Sequence, residues 1–231
     1  MWKFKYYNVN FGIDWELVKA NCDWFSDMKA IPQDSIWHAE GDVQIHTMMV
    51  CEALMKLPEF IALDEQAKHI LVTSSLMHDI EKRSTTAEEF RDGRMCIVAP
   101  RHAKRGEYTA REILYKEYDC PFEIREVICK MVRWHGKPLY NLDDEGVERS
   151  IVSISMQLPI HWLAMLSKAD ILGRICEDEV EQLEKIEYFK LYATDIDCLY
   201  EPRLFTSDLA RYIYLSKGGY LDYEPFDDTK F

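Results

Sequence analysis

The stretch that decides the fold is Leu71–Arg83, LVTSSLMHDIEKR. Its first seven residues carry no charge, and then His78 and Asp79 arrive together, followed by Glu81, Lys82 and Arg83. An uncharged run of this length reads as a helix buried on most faces, with charge re-entering only at its C-terminal end. The predicted helix starts after Asp64 and runs to Ile80. Histidine and aspartate at its buried end, beside two cations, read as ligands at the lip of a cavity. Neighbouring positions on a helix diverge by about 100°, so His78 and Asp79 do not share a face. Both still reach one ion if it lies in the crevice between this helix and its neighbours.

The flanking sequence extends a helical reading in both directions. Residues 1–35 are aromatic-rich up to Phe11, weakly helical from Asp14 to Lys29, and are expected to form a cladding segment or lid. Asp42 is a good N-cap for a helix whose stripe is Val43, His46, Met49, Val50 and Leu54. Pro58 interrupts that helix. Residues 81–100 look polar and irregular, with Met95–Val98 as a short strand at most. A helix from His102 to Tyr118 turns Gly106, Ala110, Ile113 and Leu114 inward. Another follows Pro121, with Ile124, Val127, Ile128, Met131 and Val132 as its stripe, and stops at Trp134-His135-Gly136. Asp143–Gly146 reads as a loop, and Ile151–Met156 as helical or extended. Pro159 opens a helix through Asp170, Glu177–Ala193 forms another, and Ser207–Ser216 a last one before Gly218-Gly219 and an unstructured-looking tail. Helical periods dominate and no repeat is visible, so the chain is expected to be an all-α bundle. The expected division is 1–35, a main domain 36–198, and a C-terminal helix and tail 199–231.

Composition narrows the function classes. The 231 residues are 48% hydrophobic and 30% charged, with a net charge of −13, which suits one sizeable globular domain and argues against a whole-surface nucleic-acid binder. A local basic pocket inside an acidic shell stays open. The seven cysteines (22, 51, 96, 120, 129, 176, 198) show no C-x-x-C pairing, as expected of reduced thiols in a cytoplasmic protein. No apolar run approaches the roughly 20 residues of a membrane span, and MWKFKYYNVN lacks a signal-peptide core.

Four of the seven histidines, His46, His78, His102 and His135, fall at helix ends or on inward stripes, as do Asp79 and Asp170. Convergence of imidazole and carboxylate from several helices is how bundles build metal sites. Such mixed ligation suits Zn, Mn, Fe, Co or Ni rather than a thiolate-bound ion. Each element has a bland reading as well. A His-Asp dipeptide arises readily by chance, a lone histidine on an apolar face is more often a hydrogen-bonded core residue, and Asp170 could simply pair with Arg174 one turn on. His69, among Glu65, Gln66 and Lys68, reads as exposed. His161 reads as packing, and Trp134 as core rather than a base-stacking platform. His38, behind Trp37, reads equally as a cap or as a group closing over a leaving group.

The order His46, His78-Asp79, His102, His135, Asp170 resembles the HD-domain metal-dependent phosphohydrolases, all-α proteins named for their His-Asp pair. The likeness covers roughly residues 37–198. WHAEGDVQIHT resembles the entry to the HD module of bacterial tRNA nucleotidyltransferases. SLMHDIEK and RHAKRGEYTAREIL are similar to the family's L-L-H-D-x-G-K and H-x-x-x-G-x-x-x-A-x-x-x-L blocks, and WHGKP and KADILGR to later ones. By that resemblance His46, His78, Asp79 and Asp170 are primary metal ligands, and His102 and His135 complete a two-ion site bridged by Asp79. Glu81 replaces the family's usual glycine, which implies an extra carboxylate at the mouth. HDIEKRSTT, RHAKRGEYTAR and ADILGRICED look closest to bacterial RNA-end-repair enzymes in which an HD module is fused to a polynucleotide kinase. No G-x-x-x-x-G-K-[ST] is present, and YEPFDDTKF falls about where such a kinase would begin, so two readings stay open: a domain excised from such a fusion, with a polynucleotide kinase as fused or separate partner, or a stand-alone relative.

The implied activity is release of phosphate from nucleotides or from 2′/3′-phosphate RNA ends, 2′,3′-cyclic phosphates included, by a metal-activated hydroxide whose parent water is acidified towards pKa about 7. Asp79, Lys82 and Arg174 are the expected catalytic groups. Lys82, Arg83, Arg101, Lys104, Lys137 and Arg174 are the candidate phosphate-binding cations, of which Lys82 and Arg174 stand out because resemblance and helix position agree. Two competitors remain: hydrolysis of free nucleotides such as a deoxynucleoside monophosphate or a dinucleoside polyphosphate, and a non-catalytic regulatory module. Oligomeric state is not legible.

Overall fold

A computed structural model describes residues 1–91, 93–140, 142 and 146–216. They form an all-α bundle with two small two-stranded sheets. At its centre lies α5 (Glu65–Met77), in which every residue from His69 to Met77 is buried. Asp64 caps it by accepting from the Ala67 N–H at 2.9 Å, the role of a short acidic side chain at an N-cap. The hydroxyls of Thr73, Ser74 and Ser75 bond back to the carbonyls of His69, Ile70 and Val72. Polar side chains are thereby satisfied inside an apolar environment. Around α5 pack α3 (Val43–Lys56), α8 (Phe122–Trp134) and α10 (Ile160–Leu172), with α7 (His102–Glu117) against α8 and α11 (Glu179–Asp195) against α10. Asp42 caps α3 through the Ile45 N–H at 2.9 Å, and the single turn of α4 (Pro58–Ile61) follows α3. Between α8 and α10 lies α9 (Val147–Ser155), which fixes the helical choice for Ile151–Met156.

The central helix ends earlier than expected. It stops at Met77, and residues 78–81 turn before the single turn of α6 (Lys82–Thr85). The divergence of adjacent helical positions therefore does not apply to His78 and Asp79, because Asp79 already lies in the turn. Residues 87–98 also depart from the irregular reading. β3 (Ala87–Arg91) pairs antiparallel with β4 (Arg94–Val98), from Ala87 opposite Val98 to Arg91 opposite Arg94. Asp92-Gly93 between them is a two-residue hairpin signal, and Gly93 takes φ +81°, a value that favours glycine.

The N-terminal segment does more than clad. It holds the β1–β2 hairpin (Tyr7–Asn8, Gly12–Ile13) and two short helices, α1 (Trp15–Asn21) and α2 (Asp23–Ser26), with Phe4, Val18, Phe25 and Met28 fully buried in the common core. It also overturns the exposed reading of His69, which is 2% exposed, accepts from the Phe4 N–H at 3.2 Å and meets the Tyr7 ring edge-on. Glu65 stands one turn back on the same side, 3.9 Å from His69 Nε2, and Gln66 bonds the Trp2 main chain, so the N-terminal segment covers that face of α5. At the C-terminal end, α12 (Asp208–Ser216) joins α9 through Tyr214, whose hydroxyl donates to Glu148 at 2.6 Å. The expected loop at Asp143–Glu145 and the Gly218-Gly219 tail lie outside the described residues.

Two helix crossings set the site. Gly173, just past α10, has an ordinary φ; glycine is needed there because a Cβ would lie 2.6 Å from the Val50 backbone nitrogen on α3. Gly106 on α7 likewise faces Val132 of α8, whose methyl would be 3.0 Å from a Cβ. No single described helix is long and apolar enough to cross a membrane; α9 and α10 reach that length only together, across a 106° bend. All seven cysteines are free thiols.

Candidate metal centre

The six expected ligands meet at one end of the bundle. His46 comes from the second turn of α3, His78 from the C-cap of α5 and Asp79 from the turn after it. His102 opens α7, His135 caps the end of α8, and Asp170 lies in the last turn of α10. Five of them are at most 5% exposed, while His102 has a side chain 24% exposed.

Asp79 divides the cluster into two sets. Its Oδ2 lies 3.2 Å from His78 Nε2 and 3.6 Å from His46 Nε2; its Oδ1 lies 3.3 Å from His102 Nε2 and 3.8 Å from His135 Nε2. Asp170 Oδ1 joins the first set, 3.2 Å from His46 Nε2 and 4.0 Å from His78 Nε2. Within each set the two imidazoles face each other through Nε2 at 3.4 Å.

The tautomers follow from what lies behind each ring. Helix ends leave carbonyls without main-chain partners, and His78 and His135 both use this: Nδ1 of His78 donates to the Ser75 carbonyl at 2.7 Å, and Nδ1 of His135 to the Val132 carbonyl at 2.8 Å. His102 does the same with the Ala99 carbonyl at 2.8 Å. A neutral ring with its proton on Nδ1 turns a bare lone pair inward at Nε2. Between His102 and His135, two bare lone pairs 3.4 Å apart repel unless a cation lies between them. That spacing is close to the edge of about 3.4 Å expected for a tetrahedral ion with ligands at about 2.1 Å. The Oδ1 of Asp79 is moreover buried without a hydrogen-bond donor, a state that costs about 1–3 kcal/mol if nothing compensates it. These buried groups can therefore hold a metal ion, and their nitrogen and oxygen chemistry suits a borderline divalent cation.

Electrostatics agree. Burial pushes His135 down to about 3, helped by the neighbouring His78, and burial also lowers His102, so both stay neutral ligands. His78 moves upward against burial because Asp79 and Asp170 face it, the same negative field that draws a divalent cation. Burial opposes ionisation of Asp79, but His78 and Lys82 outweigh it, and Arg174 and His46 do the same for Asp170; both carboxyls sit well below their usual range.

Two of the expected cations reach this cluster. Lys82 Nζ lies 2.8 Å from Asp79 Oδ2 and 2.8 Å from Gln33 Oε1. Arg174 makes a fork onto Asp170, Nε to Oδ1 at 3.1 Å and Nη2 to Oδ2 at 2.5 Å. Arg83 instead bonds Asp27 at 2.5 Å and Glu81 at 3.5 Å. Arg101 and Lys104 are exposed at the start of α7, and Lys137 lies 5.1 Å from the Tyr140 ring. Glu81 is not at the mouth: it is 8% exposed and bonds Thr109 of α7 at 2.9 Å and the Ser84 hydroxyl. Lys168, i−2 from Asp170, reaches away to Glu59 at 3.1 Å.

One residue without a sequence signal enters the cluster. Glu40 has a fully buried carboxylate whose Oε1 lies 2.8 Å from Nδ1 of both His38 and His46, the latter contact out of line for a hydrogen bond. Burial lowers His38 to about 4 despite the Glu40 bond, so His38 is a neutral donor. A glutamate six residues before a ligand histidine, across a turn, carries no periodicity that would have marked it.

The sequence matches no protein-family model and no curated protein.

Proposed function

We propose that the protein is an HD-domain phosphohydrolase that holds two divalent ions, one on each side of Asp79, and removes phosphate from nucleotides or from 2′/3′-phosphate RNA ends, cyclic phosphates included. The observation that carries this reading is the buried Asp79 carboxylate, each oxygen aimed at its own pair of inward-facing imidazoles. The order of ligands along the chain and their blocks, similar to those of HD phosphohydrolases, support the same reading. Ions bound there supply Lewis acidity, lowering the pKa of water and offsetting charge on phosphoryl oxygens.

The chain's own residues supply the rest. Asp79 and Asp170, kept ionised, are acceptors fixed in place by Lys82 and Arg174. Lysine and arginine carry more N–H groups than these contacts use, so both cations keep donors for a phosphoryl oxygen at the partly open edge of the cluster. His102, the most exposed ligand, marks the side from which substrate enters. Burial of the remaining ligands excludes bulk water and strengthens each of these interactions.

The net charge of −13 repels an extended polyanion and favours a substrate with few phosphates. It supports hydrolysis of a free nucleotide as the second reading. Metal analysis of purified protein, followed by phosphate release from p-nitrophenyl phosphate with Mn, Co or Ni, tests the enzyme reading; turnover lost in Asp79→Ala supports it. No bound metal and no turnover would point to a regulatory module. Comparing an oligonucleotide bearing a 2′,3′-cyclic phosphate with free mononucleotides then separates the two substrates.

A further inference from the structure

We propose that Glu40 is the positioning residue that fixes the tautomer of His46 and thereby sets how tightly the His46, His78 and Asp170 set holds its ion; this rests on the metal-centre reading above. His78, His102 and His135 each rest Nδ1 on a main-chain carbonyl three residues back. His46 has no such support. It lies inside α3, where carbonyls serve the helix itself; the one four residues back, on Asp42, already accepts from the His46 N–H at 3.0 Å. The acceptor beside its Nδ1 is instead Oε1 of Glu40, at 2.8 Å. A carboxylate behind a ligand imidazole keeps the proton on the outer nitrogen and raises the basicity of the inner one.

The placement of Glu40 is itself fixed. Its Oε2 accepts from the Ile175 N–H at 2.9 Å, and the Ala39 N–H donates to the Ile175 carbonyl at 3.0 Å. The segment that follows Asp170 and Arg174 thus clamps the turn carrying Glu40, and one short stretch positions Asp170 on one side of His46 and the carboxylate on the other. His38 shares Oε1 through its own Nδ1 at 2.8 Å and packs edge-on against His46. The Nδ1 atoms of two imidazoles therefore lie 2.8 Å from one oxygen, that of His38 in line for a hydrogen bond and that of His46 out of line.

A purely structural Glu40 would act only as the staple to Ile175. Glu40→Gln separates the roles. The amide oxygen can still accept from Ile175, but its NH2 then faces Nδ1 of His46, and the favourable response is for the His46 proton to move to Nε2, the ligand nitrogen. The test is calorimetric titration of metal-stripped full-length protein with Mn2+ and Zn2+, together with imidazole 15N NMR of the same metal-stripped samples. Expected are a wild type with His46 protonated on Nδ1, and a Glu40→Gln protein of near-unchanged Tm with the proton on Nε2 and affinity in one of its sites reduced about 10–100-fold. Equal affinity in wild type and variant overturns the inference alone, as does a wild-type His46 carrying its proton on Nε2, a result that needs no variant to fold. A wild type that takes up neither ion overturns the metal-centre reading and the inference with it.

Discussion

His46, His78 and Asp170 lie behind a screen of ion pairs, with Lys82 on Asp79, Arg174 forked onto Asp170 and Glu40 behind His46. Across Asp79, His102 and His135 rest Nδ1 on main-chain carbonyls, and the His102 side chain is 24% exposed. The first set offers four side chains and the second three, Asp79 counting in both. A set closed by buried, ion-paired groups retains its ion; one open to solvent with fewer ligands exchanges its ion and leaves room for substrate. On the two-ion reading proposed above, one carboxylate joins a retention site to a working site.

The comparison breaks most completely where the sets meet. Asp79→Ala removes a ligand from both and frees Lys82 from its partner, so phosphatase activity is expected to fall at least about 10³-fold, with the metal content of dialysed protein falling alongside it. His102→Ala acts on the open set alone. Activity is expected to drop about 100-fold while the tighter site keeps its ion, as read by metal analysis after dialysis. Loss of both ions in that variant would show that the sets are not independent.

A smaller effect comes from behind the closed set. In Gly173→Ala the added Cβ meets the Val50 backbone at 2.6 Å, which forces α3 and α10 apart at the level of His46 and Asp170. Thermal unfolding should report about 1–3 kcal/mol of lost stability, with weakened metal affinity in the closed set before the open one. The smallest effect is expected for Arg83→Ala. Its guanidinium pairs with Asp27 and Glu81, contacts worth about 0–1 kcal/mol, and kcat/KM should stay within about twofold of wild type. A loss comparable with that of Lys82→Ala would place Arg83 on the substrate instead.

The closed and open sets were not equally legible in the sequence. The candidate ligands of both were, because His46, His102, His135 and Asp170 stand on inward stripes or at helix ends, positions that periodicity reveals; what stands behind them was not. Helix existence was legible for the same reason, and the caps at Asp42 and Asp64 marked two starts. What periodicity does not carry is what a turn does. The early end of α5 at Met77, which brings Asp79 alongside His78, depends on tertiary packing. The hairpin at 87–98 had a local signal in Asp92-Gly93 that its polar surroundings obscured. His69 looked exposed because three polar neighbours surround it in sequence, although the N-terminal segment covers its face of the helix. Glu40 and Glu81 illustrate the limit most clearly. The carboxylate expected at the mouth turns to Thr109, and one with no pattern around it stands behind His46. Such partners are fixed by contacts between distant elements, which residue spacing does not encode.

The most direct test is anomalous diffraction from crystals grown with Mn2+. Two peaks are expected, flanking the Asp79 carboxylate, with the one among His46, His78 and Asp170 the more fully occupied. A single peak away from Asp79, or none within ligand distance of it, would contradict the shared two-set centre.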